Sequence, residues 1–228
     1  MSDIPVITVD GPSGSGKGTI SRQIAHQLNW HFLDSGALYR LVALGAMKTG
    51  IELGQEASEA RLADYARQLD VRFVSEDPAE EPVILLDNQD VTGDIRTEIC
   101  GNAASKVAAL PAVREALLQR QRDFQQLPGL VADGRDMGTT VFPSARLKIF
   151  LTASAEERAK RRHKQLREKG IDVNLAALVK DIAERDERDG SRASSPLKPA
   201  DDAVILDTSV MGIDEVMANI TKLIARVD

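Results

Sequence analysis

The sequence predicts an α/β protein built on a five-stranded parallel sheet flanked by helices. A short β-branched run, Ile4 to Val9 (IPVITV), leads through a glycine-rich stretch straight into a helical pattern. Four further short apolar runs then alternate with helical stretches along the chain. Strands that alternate with helices imply a parallel sheet joined by right-handed crossovers.

The first strand is bounded by Asp10 and Gly11 and reads as one buried on both faces. From Lys17 to Leu28, Ile20, Ile24, Ala25 and Leu28 recur at helical spacing, so a helix is predicted where the glycines stop. A second strand, His31 to Leu33, ends at Asp34, and Ala37 to Thr49 resumes a helical pattern. Leu130 to Ala132, Leu147 to Leu151 and Ala203 to Leu206 complete the five strands. Helices are predicted near Pro111 to Gln126, Ala155 to Lys169 and Asp214 to Ala225. The alternation is interrupted twice. Val71 to Val74 and Val83 to Leu86 flank the acidic segment SEDPAEEP and read as a hairpin, so residues 52–104 are expected to form a small inserted lobe of helix, hairpin and helix. The highly charged region Arg158 to Arg192, with little apolar content after Leu178 and Ile182, reads as a helical flap. The whole is expected to be one domain, with core segments 1–51, 105–157 and 193–228.

Composition narrows the function. The chain has 228 residues, 43% apolar and 28% charged, enough to bury a core and unlike a disordered or membrane protein. No apolar run approaches the length that spans a bilayer, and the amino terminus lacks the basic-then-apolar pattern of a leader, which points to a cytoplasmic enzyme. A net charge of −6 argues against a nucleic-acid-binding surface, which needs a basic footprint. Cys100 is the only thiol, so it is expected to be a small buried hydrophobe. No heptad run or apolar stripe announces a partner, and a monomer is expected.

Between the first strand and first helix lies GPSGSGK, Gly11, Pro12, Ser13, Gly14, Ser15, Gly16 and Lys17, which fits the P-loop pattern in the context it requires. Glycines let successive backbone N–H groups turn inward around a phosphate, the helix start adds its positive end, and Lys17 reaches the outer phosphates. The hydroxyl that usually follows the lysine and binds Mg2+ is replaced by Gly18, with Thr19 one place later. The GKGT ending is similar to that of nucleoside monophosphate kinases, in which phosphates and water hold the metal. Asp133, after the strand-like GLVA, is the candidate to orient the water shell of Mg2+ bound with ATP, against the alternative of an Asp capping a turn.

Acceptor chemistry is the next discriminator. A hydroxyl acceptor needs a base, whereas a phosphate monoester with a second pKa of about 6 is already largely ionised and needs cations. The histidines His26 and His31 read as packing or surface groups, while Arg40, Arg114, Arg135, Arg185, Arg188 and Arg192 fall near strand ends, lobe border and flap. Guanidinium groups bind phosphate in bidentate fashion.

With these arginines come GPSGSGKGT, FLDSGALYR, DIRT, NAASKVAALPAVREALLQRQR, ADGRDMGTTVFP and RDERD, and together they resemble the bacterial cytidylate kinases over nearly the whole chain. The inserted stretch matches the enlarged monophosphate-binding lobe of that family. The resemblance implies ATP and CMP or dCMP as substrates, with Arg40 and Arg135 on the acceptor phosphate and Ser105, Arg185 and Asp189 at the ribose. It implies Ser35, Arg114, Asp136 and Arg192 around the cytosine, and a lid that brings Arg158 and Arg162 to ATP. Cytosine offers an amino donor beside two acceptors, so a carboxylate set among cations is a chemically suitable reader. Lys17, Arg135 and Arg185 are then the candidates for stabilising the transferring charge. Two other readings compete. A P-loop kinase for a small hydroxylated metabolite would use Asp34 as base, and a nucleotide switch would need an NKxD motif that the sequence lacks.

Overall fold

A computed structural model describes residues 4–52, 56–74, 82–168 and 170–227. β1 (Val6–Asp10) is buried along its whole length. Its side chains alternate, with Val6 joining one apolar layer and Ile7 and Val9 the other, as the two-residue period of a strand requires. The glycine-rich loop delivers the chain into α1 (Lys17–Leu28). β2 (His31–Asp34) follows, and its last residue starts α2 (Ser35–Thr49): the Asp34 carboxylate accepts from the Ala37 amide at 3.1 Å as an N-cap.

The interruption adds a second, antiparallel sheet. α3 (Glu56–Gln68) leads to a three-stranded antiparallel sheet of β3 (Val71–Val74), β4 (Val83–Leu86) and β5 (Gln89–Asp90). Short α4 (Thr92–Ile95) and α5 (Glu98–Val107) return the chain to the core. β5 has no local signal in the sequence, because its turn uses Asp87 and Asn88 at φ 50° and 63° with no glycine to mark it. The SEDPAEEP segment, apart from Pro82, lies outside the described residues.

α6 (Pro111–Arg122) then packs against α3, the Glu59 carboxylate accepting from the Ala112 amide at 2.9 Å. β6 (Leu130–Gly134) is again wholly buried. A π-helical turn, Met137–Val141, follows it, then β7 (Leu147–Thr152), α7 (Ala155–Glu168), α8 (Leu175–Gly190), β8 (Val204–Asp207) and α9 (Ile213–Val227). The large sheet is fully parallel in the order β2-β6-β1-β7-β8, the predicted five strands.

Helices α2, α3, α5 and α6 cover one face of this sheet, and α1 and α9 cover the other. The charged region is a helix pair closed around its own apolar cluster of Ala159, Leu166, Leu178 and Ile182. Cys100 is fully buried, as expected of a small hydrophobe. No described helix is long and apolar enough to cross a membrane. Because the sheet is parallel, the loops after β1, β2 and β6 emerge at one edge, where such folds gather their ligands.

Candidate active site

The loop after β1 is shaped by close approach. A Cβ on Gly11 would lie 2.1 Å from the Leu151 carbonyl oxygen, so no larger residue fits where the loop leaves the sheet. Gly16, the N-cap of α1, sits at φ 91°, a left-handed conformation that strains other residues. Lys17 donates to the Pro12 carbonyl at 3.2 Å, folding its side chain back over the loop. Ser13 to Thr19 line a cavity of about 1020 Å³ that also receives Arg161 and Arg162 from α7 and Thr208 from the end of β8.

Arg158, expected among the phosphate contacts, is placed behind the loop. Its guanidinium donates to the Ser13 carbonyl at 3.0 Å and the Ala153 carbonyl at 2.9 Å, and it pairs with Asp186 of α8. It therefore braces the loop from outside the cavity. Arg162 lines the cavity and pairs with Glu98 of α5. Arg161, which shares the helical neighbourhood of Arg158 and Arg162, donates to the Thr208 carbonyl at 2.5 Å, and the Thr208 hydroxyl donates to the Ser15 carbonyl at 3.3 Å.

A second cavity of about 220 Å³ adjoins the first, and Ser13, Lys17, Gly18, Asp34, Arg40 and Arg185 line both. Every residue expected at the acceptor converges there: Arg40 and Arg135, then Ser105, Arg185 and Asp189, then Ser35, Arg114, Asp136 and Arg192. Asp189 of α8 is the hub. It accepts from Arg135 Nε at 3.1 Å and from the Ser105 hydroxyl at 3.1 Å, and it pairs with Arg192. Burial pushes its carboxyl up, but Arg135, Arg192 and Arg185 outweigh that and hold it below the usual carboxylate range. At the other end of the cavity Arg114 pairs with Asp136, both buried, and lies 5.5 Å from the Tyr39 ring centroid. Arg40 is anchored on the Ile95 carbonyl at 2.5 Å.

Where the cavities meet, cations outnumber their counter-charges. Burial, and then the neighbouring Arg135, push Lys17 down to about 8 and Arg185 down to about 10. Groups so crowded are set to receive an anion, because a bound phosphate would restore their ordinary affinity for the proton.

The carboxylates give a test for Mg2+. Among the described residues no three His, Cys, Asp or Glu side chains cluster as a direct metal cage. Asp133 is buried at the end of β6, and its Oδ1 has no hydrogen-bond partner in the protein. A single unpartnered carboxylate beside Lys17 suits a metal held by phosphates and water better than a turn cap would. Burial raises its carboxyl to about 6, with Lys17 opposing that rise.

Two residues that support the site without lining it escaped the sequence reading. Asp10 ends β1, and its carboxylate accepts from the Met137 amide at 2.9 Å and the Gly138 amide at 2.8 Å, tying the strand before the loop to the π-helical turn after Asp136. Gln121 of α6 accepts a 2.7 Å bond from the Ser35 hydroxyl. Neither carries a local signal: one reads as a strand end and the other as one polar residue in a polar helix.

A glycine-rich loop between a buried parallel strand and a helix, opening on a cation-rich acceptor cavity, defines a P-loop phosphotransferase. The comparisons then specify it. The cytidylate kinase family model matches residues 7–226, and the chain belongs to that family. It is 57% identical over 218 residues to a cytidylate kinase of Shewanella denitrificans, covering 96% of this chain and 95% of that one. A cytidylate kinase of Stutzerimonas stutzeri is 57% identical over 228 residues, covering 100% of this chain and 98% of its own.

Proposed function

We propose that the protein transfers the γ-phosphoryl group of ATP in line to CMP or dCMP, giving ADP and CDP or dCDP. The observation that carries this reading is the acceptor cavity of about 220 Å³, in which all the residues expected for phosphate, ribose and cytosine meet beside Lys17. Family membership supports the same activity. In this reading Arg40 and Arg135 bind the acceptor phosphate, and Ser105, Arg185 and Asp189 position the ribose. Ser35, Arg114, Asp136 and Arg192 enclose the base.

A phosphate monoester needs no base to become a nucleophile, so the protein's task is to align it and offset charge. Lys17, Arg135 and Arg185, crowded at the junction of the cavities, would share the charge of the transferring group, with no covalent intermediate on the protein. Asp133 would orient the water shell of Mg2+, which when bound would supply positive charge to offset that of the ATP phosphates. The loop from Gly11 to Thr19 and Arg162 would cradle ATP, with Arg158 bracing the loop. Asp34 is less suited to the role of base in a hydroxyl kinase, because its carboxylate is engaged as the N-cap of α2. The protein is taken to act as a cytoplasmic monomer without nucleic acid, the last in keeping with its net charge of −6.

Steady-state ADP formation from ATP and Mg2+, with CMP, dCMP, UMP, AMP and a hydroxylated metabolite offered separately, tests this reading. Turnover is expected with CMP and dCMP well above the no-acceptor control. Turnover only with the hydroxyl acceptor would move the chemistry to Asp34. ATP hydrolysis indifferent to every acceptor would favour a nucleotide switch.

A further inference from the structure

Ser35 is a hydroxyl, and a hydroxyl can face a base either as donor or as acceptor. Its neighbour removes that freedom. The Gln121 side chain meets the Leu117 carbonyl at 3.3 Å, the Ser35 hydroxyl at 2.7 Å and the Tyr39 phenol, which can itself donate or accept and so leaves the orientation to the other two. A carbonyl oxygen cannot donate, so the amide nitrogen must face Leu117, and Oε1 is left facing Ser35. Oε1 has no proton, so the hydroxyl must be the donor in the 2.7 Å bond. The single Ser35 proton is thus committed away from the cavity. What Ser35 presents to a ligand is oxygen lone pairs. Both side chains are buried, Gln121 at 1% and Ser35 at 3% exposure, so water does not readily take over either bond.

We infer that Gln121 is a specificity-positioning residue: by taking the Ser35 proton it fixes that hydroxyl as an acceptor and so favours a 4-amino over a 4-oxo pyrimidine. The inference rests on the reading of Ser35 as a base contact. A cytosine N4 amino group has two protons, and Ser35 Oγ and the Asp136 carboxylate line the same cavity as two acceptors. A uracil O4 would set lone pairs against lone pairs at both positions, leaving buried acceptors unsatisfied. Asp136 is held as an acceptor by its pairing with Arg114, and Gln121 does the equivalent for Ser35.

The test is kcat/KM for CMP, dCMP and UMP in the full-length protein and in Q121M, Q121E, S35A and the S35A/Q121M double variant. Methionine keeps the volume but offers only a weak thioether acceptor in place of the amide oxygen, freeing the hydroxyl to turn toward O4. Q121M is expected to lower the CMP to UMP ratio about tenfold, the worth of roughly one buried hydrogen bond. The CMP to dCMP ratio, set at the sugar, should not move. Glutamate retains an oxygen that accepts from Ser35 and, protonated in its buried site, a hydroxyl that replaces the amide donor to the Leu117 carbonyl, so Q121E should keep the wild-type CMP to UMP ratio. In the S35A background Q121M should have no further effect on it. A Q121M that slows CMP and UMP equally, a Q121E that loses discrimination, or an undiminished Q121M effect without Ser35 would each overturn the inference. Should Q121M not fold, Q121L carries the same expectation and Q121E still decides. An unchanged CMP to UMP ratio in S35A would instead remove Ser35 from the base, which is a failure of the underlying site reading.

Discussion

Asp10 shows how one side chain can set the geometry of a site it does not line. It is buried, and desolvation raises its carboxyl to about 7 against the pull of the Met137 and Gly138 amides. A folded-state pKa above the unfolded one means that the native protein keeps a proton the unfolded chain has released. Stability is therefore lost as pH rises from about 4 toward 7, by roughly 4 kcal/mol at most for a shift of this size. Asp10→Asn has no proton to lose and offers only one acceptor to two amides, so it should be less stable than wild type in acid. The gap should narrow as pH climbs through that window, because the wild type alone carries this loss. Urea denaturation of both proteins from pH 4 to 8 measures it, and a gap that is constant or widens would show that Asp10 is ionised throughout. No reading of the sequence could have found this residue's role. Its partners lie 127 and 128 positions away, and Gln121 meets Ser35 across 86. Glycines, by contrast, announce a phosphate loop locally, because the backbone they permit is the one that cradles an anion.

At the scale of elements, α2 and α3 meet where Gly45 removes a side chain. A Cβ there would stand 2.1 Å from the Tyr65 ring, so the two helices touch through a backbone and the phenol end of an aromatic ring. Glycine within a helix ordinarily costs about 1 kcal/mol relative to alanine. Gly45→Ala should nevertheless lower stability, by about 1–3 kcal/mol, because overpacking exceeds the gain in helix propensity. Chemical denaturation decides the sign, and a stabilised variant would mean that Tyr65 swings away freely. The main elements were legible because each announces itself within its own length: β1 by its β-branched run, α1 by its apolar spacing and preceding glycines. The π-helical turn at Met137–Val141 was not, since Asp10 and the sheet hold it from outside. The residues that line the smaller cavity could be grouped in advance only through family resemblance. Taken singly, Arg114 or Arg192 is one charge in a polar stretch, and their burial beside Asp136 and Asp189 is a tertiary fact.

Across the whole molecule, the helix pair α7 and α8 joins the two cavities. α8 supplies Arg185 and Asp189 to the acceptor side, while α7 supplies Arg161 and Arg162 to the P-loop side. The pair is held together by its apolar cluster and by the Arg158–Asp186 ion pair, whose arginine also grips the Ser13 carbonyl. An acceptor that draws α8 inward should therefore carry α7 toward the donor phosphates. The expectation is positive coupling: a non-hydrolysable ATP analogue should bind about fivefold or more tightly with CMP present, and CMP should gain by the same factor from the analogue. Asp186→Asn weakens the link between the helices without touching the acceptor cavity, so it should reduce the coupling while leaving the affinity for CMP alone near wild type. Calorimetric titration of each ligand in the presence and absence of the other reads both quantities. Equal affinities in all four titrations would mean that the helix pair does not transmit occupancy. A coupling unchanged in Asp186→Asn would place the transmission in the apolar cluster of Ala159, Leu166, Leu178 and Ile182 rather than in the ion pair.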